Sequence, residues 1–112
     1  MSRAEGTVEH IGLTWRISPG KAADYDRDHA TVWPELEQRM RELGASSFSI
    51  FRRGDDVFAH LVVRDYAAFV EAYTVDPVAI EWERKWDDLL IVDHPDPATG
   101  WPERLVHVWT ME

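Results

Sequence analysis

The chain contains no cysteine. That absence excludes a disulfide framework, a thiolate nucleophile and any cysteine-based zinc site, and it agrees with life in a reducing cytoplasm. Basic residues are scarce: 12 Lys and Arg stand against 21 Asp and Glu, a formal net charge of −9. Such a chain lacks the basic footprint of a nucleic-acid binder and the cationic surface that adheres to anionic membranes, whereas a neutral small molecule is not repelled. No apolar run approaches the roughly 20 residues that span a bilayer, and the opening residues lack the apolar core of a signal peptide. The glycine patterns of nucleotide loops and the HExxH and EF-hand spacings are missing too, so neither nucleotide nor metal has a motif to hold it.

What is present suits one globular domain: 112 residues, 45% hydrophobic and 29% charged. Residues 1–7 read as a flexible lead-in and 8–112 as a single domain, with no linker or repeat between. Six tryptophans are many for this length. Each has to be buried in a core, covered by a partner or turned to a ligand.

Residues 8–17 alternate with a period of two, which predicts a half-buried strand. Ser18-Pro19-Gly20 then turns the chain. From 21 to 43 the apolar residues recur at three and four, the helical spacing, with Tyr25, His29, Val32, Leu36, Met40 and Leu43 on one stripe. Pro34 should kink or restart that helix from a first-turn position, and Gly44 should end it. A second strand is expected over 46–53, a hairpin at Gly54-Asp55 and a third strand over 57–63. A short helix follows over 66–73, then another from Asp76-Pro77 to about Leu90. Residues 105–111 read as the closing fourth strand. The order β-α-β-β-α-α-β predicts an α+β, ferredoxin-like layer: a four-stranded antiparallel sheet with helices on one face. The other sheet face also carries apolar residues, which predicts a homodimer packed sheet to sheet, with the last strand and the region from Trp101 to Trp109 contributing.

Chemistry points to the helix around His29. Tyr25 lies four residues before it and Trp33 four after, hence on one helical face. An imidazole can donate and accept a proton near neutral pH, a phenol can bond a hydroxyl, and an indole can cover the apolar face of a sugar ring. By spacing alone the blander reading, a satisfied core histidine on a helix packed against the sheet, stands beside it. His10, His60, His94 and His107 show no partner in the sequence. Trp82 and Trp86 form a stripe that suits a core, and Asp24, Asp26 and Asp28 suit a solvated helix face.

The run Tyr25-x-x-x-His29-x-x-x-Trp33-Pro34-Glu35-Leu36 resembles the signature of the L-rhamnose mutarotase family. Pro19, Gly44, the Ser-Ile-Phe strand at 49–51, the Val-Phe-Ala strand at 57–59 and Trp82 follow the same pattern. The resemblance covers nearly the whole chain. It implies a dimeric ferredoxin-like α/β barrel that interconverts the α and β anomers of a deoxy sugar without cofactor or metal. It further implies His29 as proton donor and Tyr25 as substrate-binding. Two positions depart from the family: Phe48 stands where a tyrosine is usual, and Glu83 completes the pair with Trp82 where a second tryptophan is usual. Both lie where the sugar would be read, so L-fucose, another 6-deoxy sugar or a pentose enters beside L-rhamnose. The expected mechanism has His29 protonate the ring oxygen, Glu83 or a water take the anomeric proton, Tyr25 hold a ring hydroxyl, and Trp33 and Trp82 wall the pocket beside Phe48. Two other classes use the same fold: a cofactor-free monooxygenase or other aromatic-substrate enzyme, and a non-catalytic small-molecule binder.

Overall fold

The computed structural model describes residues 7–111. The expected lead-in therefore lies, apart from Thr7, outside the described residues. The first strand, β1 (Glu9–Ile17), has the expected alternation, with Ile11, Leu13 and Ile17 in the core. After the turn at Gly20, whose φ of +84° suits a residue without Cβ, the stretch expected as one interrupted helix divides in two. These are α1 (Ala22–His29) and α2 (Pro34–Glu42). The division has a local cause. The ring of Pro34 drives the residue before it out of the helical region, and Trp33 is extended at φ −60°, ψ 128°. Pro34 itself opens α2, where its missing N–H is no loss. Gly44 ends α2 at φ +111°.

A hairpin follows: β2 (Ala45–Arg53) and β3 (Asp56–Val63), joined by Gly54-Asp55 with Gly54 at φ +59°. Its register puts Phe48 opposite Leu61, which in turn faces Ile11 of β1, all on the core side. Phe51 opposes Phe58 on the other side, where both are exposed. Next come α3 (Tyr66–Val75) and α4 (Pro77–Glu83), the latter running into a single 3-10 turn, Arg84–Trp86. The helix expected to reach about Leu90 stops there, because Leu90–Ile91 is strand β4, paired with Arg16 and Ile17 of β1.

Residues 105–111 are not the fourth strand. They run outside the sheet, held to it by one backbone bond in which the Leu105 N–H donates to the Gly12 carbonyl at 2.8 Å. The fourth strand is instead β4, which pairs with Arg16 and Ile17 at the end of β1, while the tail meets that strand only at Gly12. The finished sheet is antiparallel with order β2-β3-β1-β4, the ferredoxin-like α+β arrangement with helices on one face. Among the described residues no helix is long and apolar enough to cross a membrane.

The core sits between the sheet and the helices. Phe69 of α3 and Val57, Leu61 and Val63 of β3 are almost wholly buried, each contributing about 1.5–3 kcal/mol by leaving water. Asp76 joins α3 to α4 and ties them to α2. Its carboxylate accepts from the N–H groups of Val78 and Ala79, both at 3.0 Å, and pairs with Arg39 Nε at 2.9 Å. Asp76→Ala is expected to lower unfolding stability by about 1–2 kcal/mol, read as a lower urea midpoint. Asp76→Asn should retain most of the cap and lose less.

Candidate active site

The site grows from the end of α1. Tyr25 and His29 are one helical turn apart, with ring centroids 4.2 Å from each other. The Nδ1 of His29 lies 2.8 Å from the backbone carbonyl of Tyr25. A carbonyl only accepts, so Nδ1 carries the proton and Nε2 is the lone-pair nitrogen of the neutral ring. Trp86 stacks on the imidazole (4.8 Å, 27°), and Trp82 meets it edge-on at 5.6 Å. Tyr25 and Trp86 are themselves in contact at 5.1 Å, so the three rings form a compact triangle. Aromatic pairs of this kind contribute about 0.5–1.5 kcal/mol each beyond their buried area, which favours one orientation of the imidazole.

These rings form part of the wall of a cavity of about 730 Å³ between the sheet and the helices, within the range of small-molecule sites. The wall is mainly apolar and aromatic; its polar groups include His29, Tyr25, Glu83, Tyr73 and Asp87, with Glu37, Arg41, Ser46 and Ser47 also on the lining. Burial pushes the Tyr25 phenol up to about 12, so it meets a ligand as a neutral hydroxyl. Glu83 keeps solvent access as a residue, but desolvation against the cavity wall raises its carboxyl above the usual carboxylate range, and nearby Asp87 adds to this. A hydrogen bond donated by the Tyr73 hydroxyl, at 2.9 Å, works the other way. Among the described residues no cluster of three or more His, Asp or Glu is placed to hold a metal ion.

Of the residues singled out in the sequence, His29, Tyr25, Phe48, Trp82 and Glu83 all line this cavity. Phe48 does so from the edge strand β2, half exposed. Trp33 does not. The break before α2 removes it from the helical face shared by Tyr25 and His29, and it packs edge-on to Trp82 at 5.2 Å, with the Lys85 ammonium 5.1 Å from its ring. It buttresses the wall from behind. Among the lining residues that the sequence reading did not name as site residues are Trp15, Tyr73 and Trp86. Trp86 was signalled by its spacing from Trp82. Trp15 was signalled by its place after Leu13 on the core side of β1, and its indole N–H is buried without a partner in hydrogen-bond geometry. Tyr73 meets Glu83 across two helices, and no periodicity announces that.

The class to which this fold belongs is the sugar mutarotases, isomerases that interconvert anomers. The family model for L-rhamnose mutarotase matches residues 10–111, and the chain belongs to that family. It is 31% identical over 101 residues to the L-rhamnose mutarotase of Acidiphilium cryptum (strain JF-5), covering 88% of this chain and 96% of that one. It is 33% identical over 86 residues to that of Verminephrobacter eiseniae (strain EF01-2), covering 75% and 80%. A crystal structure of an L-rhamnose mutarotase from Formosa agariphila shares the fold, with a TM-score of 0.73 over 93% of this chain and 99% of that one at 24% identity.

The raised Glu83 carboxyl has a thermodynamic signature. The folded chain holds that proton more tightly than the unfolded chain, so the stabilisation is present below the ordinary carboxylate range and is lost as pH rises through the raised value. Glu83→Gln cannot ionise. Its melting temperature is expected to gain on that of the native chain as pH goes from about 4 to about 7, measured by calorimetry. A gap that stays flat over that range would mean that Glu83 titrates normally.

Proposed function

We propose that this cavity interconverts the anomers of a 6-deoxy hexose such as L-rhamnose by cofactor-free acid–base catalysis, with His29 as the proton-transfer residue. The observation that carries the reading is the bond from His29 Nδ1 to the Tyr25 carbonyl, which reserves Nε2 for the sugar. In the imidazolium form, Nε2–H protonates the ring oxygen. The C1–O5 bond breaks, C1=O1 forms, and the proton of the anomeric hydroxyl passes to the Glu83 carboxylate or to a water. The open chain turns about C1–C2 and closes on the other carbonyl face, and each proton returns to the group it left. Acid–base assistance of this kind is worth about 10²–10⁴-fold. Tyr25 offers a neutral hydroxyl to a ring hydroxyl, Trp82 walls the pocket with Trp33 behind it, and Phe48 borders it without a hydroxyl of its own. The names of the relatives support L-rhamnose as the first sugar to try. The departures at Phe48 and Glu83 put L-fucose and pentoses on the same panel.

Saturation-transfer NMR on anomeric protons tests this directly. The native chain should accelerate exchange for at least one sugar of the panel, and His29→Ala should lower the rate about 10²-fold or more. Full activity in His29→Ala would remove the mechanism, and no acceleration for any sugar would remove the function.

The same reading places the enzyme in the cytoplasm as a homodimer. The outer sheet face presents Phe51 and Phe58, and the tail beyond Leu105 presents Val106, Val108, Trp109 and Met111, all exposed. One molecule thus carries both an uncovered apolar face and an uncovered apolar segment. A two-fold arrangement of two copies covers both at once. Sedimentation velocity is expected to give a dimer at micromolar concentration and a shift to monomer in Phe51→Asp/Phe58→Asp. A native monomer would overturn the assignment.

A further inference from the structure

Resting on the reading of Glu83 as the group that takes the anomeric proton, we propose that Tyr73 is its positioning residue: the Tyr73 hydroxyl pins one carboxylate oxygen and leaves the other facing the sugar. The two side chains come from different helices, Tyr73 from α3 and Glu83 from α4, and meet at 2.9 Å. The Tyr73 ring is buried and held on two sides, stacked on Phe69 at 5.5 Å and 21° and met edge-on by Trp101 at 5.5 Å. Its hydroxyl therefore has a fixed place from which to donate.

The pair also stands at a partition. Both residues line the main cavity and also a second one of about 390 Å³, which Thr74 and Arg84 help to wall. Only the Glu83 oxygen not engaged by Tyr73 is left for a ligand. The charged and titratable neighbours are few. Asp87 lines both cavities and raises the Glu83 carboxyl, Arg84 lines the smaller one, and Tyr25 feels the Glu83 charge from the main one. Burial is the largest influence and favours the protonated acid, which cannot accept a proton. The hydrogen bond from Tyr73 opposes burial. Burial and the Glu83 charge push the Tyr73 phenol itself far up, so it is a neutral donor throughout the working range. Tyr73 thus does two things for Glu83. It holds the orientation, and it keeps a share of the carboxylate form available as a base.

Tyr73→Phe tests this without disturbing the stack on Phe69 and Trp101. In the free protein with ¹³C-labelled glutamate, the Glu83 carboxyl should titrate about one pH unit higher in Tyr73→Phe than in the native chain, the worth of one charge-assisted hydrogen bond. In anomer exchange, the acidic limb of the kcat profile should move up by the same amount. At pH above that limb kcat should fall about 10-fold with KM little changed. Glu83→Gln should lose the limb, and adding Tyr73→Phe to it should change nothing further. An unmoved Glu83 titration, or losses that multiply in the double variant, would overturn the inference. A native chain that exchanges no anomer would overturn it together with the mutarotase reading, and that outcome is recognisable because the Glu83 titration still moves in Tyr73→Phe.

Discussion

The structure depends on the ring cluster in which Tyr25, Trp86 and the His29 imidazole all touch one another. Tyr25 and Trp86 are both core residues, only 3% exposed each. They bring the C-terminal end of α1 against the turn that follows α4, two segments separated by the whole β2–β3 hairpin and α3. The same contact that joins these layers fixes the plane of the imidazole and, through the Tyr25 carbonyl, selects which of its nitrogens is free. Here the core and the site are not separate regions. The rings that exclude water from the interior are the rings that a ligand would touch.

Polar chemistry is spent sparingly around that cluster. The acidic excess of the chain stays largely at the surface, where Asp26 forms a two-point pair with Arg52 and Asp93 another with Arg16. Each guanidinium holds its carboxyl below the usual range. Pairs this exposed add little to stability. Glu83 differs from these pairs: it stands on the cavity wall and takes a neutral hydroxyl, that of Tyr73, as its partner in place of a cation. A carboxyl on a cavity wall, held above its usual range, is a candidate for proton chemistry.

Much of this could be read before the fold was known, where the cause is local. Period-two alternation found β1, the ring of Pro34 found the restart of α2, Gly44 and Gly54 found their turns, and the one-turn spacing of Tyr25 and His29 put the two side by side on the wall of the cavity. The misreadings share a physical origin as well. Residues 105–111 alternate as a strand does, but alternation does not say which segment pairs: the tail makes one backbone bond to β1, at Gly12, and the fourth strand is Leu90–Ile91, two residues too short to show a period. Trp33 was counted on the face of His29 because the spacing runs straight through a break that proline chemistry makes inevitable. Tyr73 and Glu83 meet only once α3 and α4 are packed, so their bond is tertiary information and leaves no mark on either helix alone.

Phe48 sits on the edge strand β2, half exposed, at the rim of a wall whose other rings are locked into the interior. That difference in burial sets how the enzyme is able to evolve. Exchanging Trp82, Trp86 or Tyr25 would cost packing and chemistry together, so descendants of this chain are held to the same reaction. Exchanging Phe48 would cost little of either while altering what the rim of the cavity meets. A lineage built this way keeps its reaction through long divergence and explores new sugars one rim residue at a time.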